Sequence, residues 1–157
     1  MPFMIRWTGR VPAGRVEHRP IIQLDVLPTA LAAAGVSVDK SARLDGVDLL
    51  PFLTGAAKGL PHETLYWRLG GMMAIRHGEW KLLKTKEGPL VDADPAVLND
   101  LTGAEVYNLA TDIGETKNVA AAHPDKVKEL GARWQTWNQQ LVKPRWGVPA
   151  GERGGQR

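Results

Sequence analysis

Residues able to bind an anionic ligand are concentrated near the middle of the chain. The candidates for contact with a substrate are Trp67, Arg68, Arg76 and His62. An arginine guanidinium can hold an anionic group through two parallel hydrogen bonds, and a tryptophan offers a flat apolar face to a ring. Under the alternative interpretation, Trp67 and Trp80 belong to the core and both arginines form surface or interdomain ion pairs.

The sequence contains no recognisable metal-binding motif. It has no cysteine, which excludes disulfides, thiolate ligands and cysteine nucleophiles. Its four histidines do not show a ligand spacing such as His-Glu-x-x-His. His62 and Glu63 are neighbours that would point to opposite faces of a strand, so they do not form a metal-binding pair. The sequence therefore predicts no metal site in this chain.

The distribution of charge argues against a nucleic-acid partner, although the pI is about 9.3. The net charge of +3 arises in residues 143–157, and the rest of the chain is balanced. We therefore predict a flexible basic tail at 143–157 and no binding of nucleic acid. The charged residues of this tail are Lys143, Arg145, Glu152, Arg153 and Arg157.

No segment of the sequence predicts insertion into a membrane. The longest apolar runs, such as residues 30–36, are too short to cross a bilayer. Residues 1–10 lack the basic start and apolar core of a secretion signal, so we expect no signal peptide in this chain. The compartment of the protein stays open.

Hydrophobic patterning predicts a strand and a helix in the first third of the chain. Residues 2–7 are an apolar run typical of a buried strand, and residues 20–34 carry a helical apolar stripe that Pro28 should interrupt or kink. Such a strand normally lies among parallel neighbours, and the chain contains no second one. We therefore expect poor burial of several apolar side chains here, namely Phe3, Ile5, Leu24 and Leu27.

From residue 64 onward the pattern predicts an antiparallel meander followed by a helix. Three strands are expected at 64–69, 72–76 and 79–84, with turns at Gly70-Gly71 and His77-Gly78. A fourth strand is expected at 105–109. The final helix begins at Pro124 and carries an apolar stripe formed by Val127, Leu130, Trp134, Trp137 and Leu141.

Short connecting segments complete this outline. One helical turn is expected at residues 47–53. Between the fourth strand and the final helix, Asp112, Glu115 and Asn118 are expected to be turn and capping residues and not metal ligands.

Six segments, in this order, resemble the sulfatases of the alkaline-phosphatase superfamily. Each motif is weak alone, but together they extend over residues 2–142. They are Pro-Phe-Met-Ile-Arg-Trp-Thr-Gly at 2–9, Gln-Leu-Asp-Val-Leu-Pro-Thr-Ala-Leu at 23–31, Asp-Gly-Val-Asp-Leu-Leu-Pro-Phe-Leu at 45–53, Arg-His-Gly-Glu-Trp-Lys-Leu at 76–82, Val-Tyr-Asn-Leu at 106–109 and Asp-Ile-Gly-Glu-Thr-Lys-Asn at 112–118.

This resemblance implies a large N-terminal α/β domain that the chain does not include. In the family, that domain carries a formylglycine, made from Cys or Ser in a [CS]-x-P-x-R motif, and a divalent cation, usually calcium. The hydrated aldehyde is the nucleophile, and the metal neutralises the sulfate oxygens. Ser37 and Ser41 do not lie in such a motif. We therefore expect no catalytic residue, metal ligand or cofactor within this chain.

The resemblance also implies the fold class and the division of the chain. We expect an α+β protein in which a four-stranded antiparallel sheet is packed by a C-terminal helix. Residues 60–142 would form this small C-terminal subdomain. Residues 1–55 would be a strand-helix remnant of the larger alkaline-phosphatase-like α/β domain, so that the chain begins within a longer sulfatase sequence.

We therefore expect a C-terminal fragment of a sulfatase that is inactive alone, whose parent enzyme hydrolyses aryl or carbohydrate sulfate monoesters. The expected partners are the missing N-terminal domain and, in the parent enzyme, an anionic sulfated substrate. Two alternatives stay open. The chain could be a non-catalytic module that docks onto a separately encoded N-terminal sulfatase half, or a fragment of a phosphonate or phosphate monoester hydrolase.

Overall fold

The computed structural model describes residues 3–39, 41–85 and 99–142 and divides the chain into two compact units. The first unit is Met1–Glu63 and the second is Thr64–Arg157. The tail predicted at 143–157 lies outside the described residues. Among the residues described, every helix is too short or too polar to cross a lipid bilayer.

The first unit contains a 3₁₀ turn and two short α-helices. Gln23–Asp25 form the 3₁₀ turn, which leads directly into α1 (Val26–Ala33), and α2 covers Leu50–Thr54. Pro28 lies in the first turn of α1, where its missing N–H has no intrahelical partner to lose. The predicted helix therefore exists, but it begins later than residue 20.

The strand predicted at residues 2–7 is wrong for the described part of that segment. Residues 3–7 adopt no regular secondary structure. A strand needs a neighbour for its backbone N–H and C=O groups, and no strand is found in the described residues of the first unit. The expected poor burial is confirmed, because the exposed fractions are 51% for Phe3, 38% for Ile5, 50% for Leu24 and 54% for Leu27.

The second unit is built on a four-stranded antiparallel sheet, as predicted. Its strands follow the chain in the order β1 (Thr64–Leu69), β2 (Met72–His77), β3 (Trp80–Lys84) and β4 (Glu105–Asn108). The second turn differs from the prediction. β2 extends through His77, which pairs with Trp80, so that the turn is made by residues 78 and 79. The positive φ of 55° at residue 78 requires the freedom of glycine at the first turn position.

Helix α3 (Pro124–Asn138) packs on one face of this sheet and closes the core of the second unit. Leu130 and Trp134 are fully buried, and the ring of Trp137 stacks on Tyr66 with 4.9 Å between centroids. The predicted stripe is confirmed over the helix, whereas Leu141 lies beyond its end and is exposed. The core between α3 and the sheet consists of Met73, Ile75, Leu82, Ala104, Val106, Leu130 and Trp134.

Candidate substrate-contact site

The strand register decides which side chains of the sheet share a face. Tyr66, Ile75, Leu82 and Val106 pair across the four strands and face α3. The next row belongs to the opposite face, because successive residues of a strand alternate in direction. We call that opposite face the outer face. It carries Leu65, Arg76, Lys81 and Tyr107 in one row, and Trp67, Ala74, Leu83 and Glu105 in the next.

Two of the four predicted contact residues, Trp67 and Arg76, lie together on the outer face. Trp67 pairs with Ala74, two residues from Arg76, which makes the tryptophan and the arginine diagonal neighbours within reach of long side chains. The indole of Trp67 is 37% exposed. The Nε of Arg76 donates to the carbonyl of Gly78 at 3.1 Å, which holds the side chain in a defined direction.

The other charged groups of the outer face are held by contacts within the chain. The ammonium of Lys81 contacts both carboxylate oxygens of Glu115, at 2.6 and 2.7 Å. The hydroxyl of Tyr107 donates to Glu105 at 3.1 Å, and burial together with this carboxylate raises the pKa of the tyrosine. Among the described residues, no carboxylate lies within ion-pairing distance of Arg76. This arginine is therefore the cation of the outer face that is best placed to meet an external anion.

Arg68 lies on the other face, where it secures the end of α3. Its two terminal nitrogens donate to the side-chain oxygen of Asn138 at 2.7 Å and to the carbonyl of Val142 at 3.0 Å. Cations that hydrogen-bond the last carbonyls of a helix also complement its dipole. The guanidinium is thus occupied by intramolecular hydrogen bonds, and neither acceptor is the acidic group that the alternative interpretation expected.

His62 belongs to the first unit and takes part in a buried cluster around Asp25. The carboxylate of Asp25 is fully buried, and one of its oxygens lies 2.8 Å from Nε2 of His62. The same carboxylate accepts the backbone N–H groups of Ile22 and Val47, both at 2.9 Å. The side chain of His62 therefore has a partner within the first unit.

Asp25 was missed as an organising residue by reasoning from the sequence. The available signal was local, since an acidic side chain three residues into a helical segment can accept the backbone N–H that precedes it. That rule accounts for the bond from Ile22. The bonds to Val47 and His62 join residues 22 and 37 positions away, and no local pattern predicts them.

The loop after β4 is organised by acidic and amide side chains acting as caps. The carboxylate of Asp112 accepts the backbone N–H groups of Thr116 and Lys117, and these bonds hold its pKa below the usual value. Asn118 accepts the N–H groups of Val106 and Ala120. The predicted role as turn and capping groups is confirmed for Asp112 and Asn118, whereas the carboxylate of Glu115 pairs with Lys81. The described part of the chain contains no group of three or more histidine or acidic side chains placed to hold a metal ion.

Comparison with known proteins gives a consistent set of relatives. The chain is 35% identical to arylsulfatase A of Bos taurus over 143 residues, covering 82% of this chain and 27% of that protein. It is 25% identical to N-acetylgalactosamine-6-O-sulfatase of Bacteroides thetaiotaomicron over 131 residues, covering 83% of this chain and 25% of that protein. No protein-family model matches the chain.

Solved structures show the same relation. The crystal structure of Ps i-CgsB superposes with a TM-score of 0.69 at 25% identity, covering 93% of this chain and 30% of that chain. A second structure of Ps i-CgsB, in complex with k-i-k-neocarrahexaose, superposes equally well. The chain thus spans less than a third of the length of each of these relatives. The aligned regions nevertheless cover more than four fifths of the chain.

Proposed function

The chain belongs to the sulfatase family and corresponds to the C-terminal portion of its members, and we propose that it is part of an enzyme that hydrolyses sulfate monoesters. The observation that carries this proposal is the match to arylsulfatase A at 35% identity over 82% of the chain. Because the match covers only 27% of that protein, we place the catalytic groups in the rest of a larger enzyme. This chain would have a supporting, non-catalytic role.

The nucleophile and the metal ion of the reaction belong, in this proposal, to the missing N-terminal domain. Ser37 and Ser41 are followed by Val-Asp and Ala-Arg, so neither stands in the motif from which a formylglycine is made. No chemical step is assigned to a side chain of this chain. The chain alone is therefore expected to be inactive, and its contribution is to complete the fold and to contact the substrate away from the reacting bond.

Trp67 and Arg76 are the residues that we propose for this contact. The exposed indole and the directed guanidinium lie on the same face, and their chemistry suits a sugar ring that carries a sulfate or carboxylate. The complex of Ps i-CgsB with k-i-k-neocarrahexaose supports a carbohydrate as the class of ligand. Arg68 and His62 are left out because their polar atoms are held by Asn138 and Asp25.

The activity is tested with the chain alone and with a chimaeric enzyme. In the chimaera, this chain replaces the matched region of bovine arylsulfatase A. With a chromogenic aryl sulfate and calcium, we expect the chimaera to turn over substrate and the chain alone to equal a heat-denatured control. Turnover by the chain alone would contradict its supporting position. A folded chimaera that hydrolyses an aryl phosphate and leaves the sulfate intact would favour the phosphate monoesterase alternative.

The contact residue is tested in the same chimaera with a sulfated oligosaccharide. Replacing Arg76 with methionine keeps the apolar stem and removes the fork, so we expect KM to rise about tenfold with kcat little changed, the loss of roughly one charge-assisted hydrogen bond. Arg133→Met is the matched control, because Arg133 lies on the exposed side of α3 beside Glu129. Equal KM values for the two variants would remove Arg76 from the substrate site.

A further inference from the structure

Arg76 and Lys81 form a pair of like charges on the outer face. They are direct partners in the register of β2 and β3, so both side chains project from the same face of the sheet. The β-carbons of such partners lie about 5 Å apart, and like charges placed directly opposite destabilise a sheet. Without a counterion, the same arrangement offers two cations to two neighbouring anionic groups of a ligand. The counterion of Lys81 therefore determines how many anionic groups this face can receive.

Glu115 supplies that counterion from the loop after β4. Its two carboxylate oxygens lie 2.6 and 2.7 Å from the ammonium of Lys81. Both partners keep contact with solvent, since 24% of the Lys81 side chain and 30% of the Glu115 side chain are exposed. The ion pair thus lies at the surface of the outer face, where a ligand competes directly with Glu115 for the lysine.

The backbone of Glu115 is held in an unfavourable conformation. Its φ of 54° is the only positive φ of a residue other than glycine in the described part of the chain. Asp112 fixes this turn, since its carbonyl accepts the N–H of Glu115 at 3.2 Å and its carboxylate accepts those of Thr116 and Lys117. A partly exposed ion pair contributes little to stability, whereas a positive φ at a residue other than glycine costs free energy. Stability alone does not account for a carboxylate at this position.

The charges of the outer face change from positive to negative between β2 and β4. On β2, Arg76 has no carboxylate within ion-pairing distance among the described residues. On β3, the charge of Lys81 is balanced by Glu115, and on β4 the carboxylate of Glu105 accepts the hydroxyl of Tyr107. An anionic group bound at Arg76 therefore has an ion pair on one side and a carboxylate beyond it, which repel a second anionic group.

We propose that Glu115 is a specificity-determining residue of the substrate contact. By pairing with Lys81, it limits the outer face to one anionic group, held by Arg76, so that a second sulfate on the neighbouring carbon of a sugar ring adds no affinity. This inference rests on the proposed function, which supplies the contact of Trp67 and Arg76 with an anionic ring. Glu115 does not touch the substrate and takes no part in the reaction.

The inference is tested by NMR titration of the full 157-residue chain with two ligands. They are a methyl galactoside that carries one sulfate and the same galactoside with sulfates on two neighbouring hydroxyl groups. For the unaltered chain, we expect dissociation constants of about millimolar for both ligands, equal within about twofold. Glu115→Gln keeps the length of the side chain and removes its charge, so it should tighten binding of the disulfated ligand about tenfold and leave the monosulfated ligand within about threefold.

Two further variants show whether the gain acts through Lys81. Adding Lys81→Met to Glu115→Gln removes the released ammonium and should abolish the gain, which a mere disturbance of the loop does not predict. Glu129→Gln is the matched control for net charge, since Glu129 pairs with Lys126 on α3 at 2.7 Å. It should leave the ratio of the two dissociation constants unchanged.

A second substitution of Glu115 guards against a loss of folding. Glu115→Asn also removes the charge, and asparagine adopts a positive φ more readily than other residues except glycine. The turn should therefore keep its shape, and the disulfated ligand should gain affinity as it does with Glu115→Gln. The ratio of the two constants is measured on one folded sample, so a lower melting temperature does not alter it.

The outcomes separate this inference from the proposed function. An equal ratio in the unaltered chain and in both Glu115 variants, or a gain that persists after Lys81→Met, would overturn the inference and leave the contact at Arg76 intact. Binding of the monosulfated ligand that Arg76→Met does not weaken would remove the contact and the inference with it. A chimaera that hydrolyses no sulfate ester would refute the proposed function, while the ratio measured on the isolated chain would stand.

Discussion

Replacing Trp134 with alanine is expected to lower the free energy of unfolding of the second unit by about 3–5 kcal/mol. The side chain has no solvent-accessible surface and lies in the core between α3 and the sheet. Its loss would leave a cavity that the rigid sheet cannot refill, and the bond from its Nε1 to the carbonyl of Trp67 at 3.2 Å would also disappear. Urea denaturation followed by circular dichroism measures the change.

Two further variants separate burial from hydrogen bonding at this position. Trp134→Phe keeps an aromatic ring and removes the Nε1 donor, so it should cost less than the alanine variant. Trp67→Ala is the matched tryptophan control, since this side chain is 37% exposed and lies on the outer face. If Trp67→Ala and Trp134→Ala were equally destabilising, the assignment of the core to the face covered by α3 would be wrong.

Replacing Asp25 with alanine is expected to destabilise the first unit by about 3 kcal/mol or more, because each buried donor left without an acceptor costs ~1–3 kcal/mol. The donors affected are the backbone N–H groups of Ile22 and Val47 and the ring of His62. The amide protons of Ile22 and Val47 should therefore exchange much faster, whereas those of β2 and β3 should keep their protection. Hydrogen exchange read by NMR resolves these sites individually.

Asp39→Ala is the control for this prediction. Asp39 also accepts a backbone N–H, from Ser41 at 2.7 Å, but it is exposed, so water can replace the lost bond. A change within about 0.5 kcal/mol is expected. Unchanged protection of Ile22 and Val47 in Asp25→Ala would contradict the prediction, because it would show that the Asp25 carboxylate does not hold these two backbone groups.

The elements of the second unit could be predicted because their signals are local. Alternation over residues 64–84 specifies strands, two glycine-containing turns bring neighbouring strands into contact, and a stripe at steps of three and four specifies α3. The second turn lies one residue later than predicted, at residues 78 and 79. The glycine indicates that a turn is present, but it does not show which neighbouring residue still pairs with the adjacent strand. Register is set by pairing, here of His77 with Trp80.

The strand predicted at residues 2–7 shows the limit of such signals. Apolar composition indicates that a segment is suited to a buried sheet, but a strand exists only when neighbouring backbones accept its hydrogen bonds. The described first unit provides no such neighbour. The pattern did indicate the consequence, which is the exposure of Phe3, Ile5, Leu24 and Leu27.

Residue types and spacing thus sufficed for the family, the antiparallel sheet with its covering helix, and the short list of anion-binding residues. They could not show which of the listed residues are engaged in contacts within the chain and which are available to a ligand. Arg68 and Trp67 are neighbours in the chain, yet one secures the end of α3 at Asn138 and the other lies on the outer face near Arg76. His62 is held by Asp25, 37 positions away. Contacts between distant residues depend on register and packing, which only the folded chain establishes, and they determine which polar atoms remain available for a ligand.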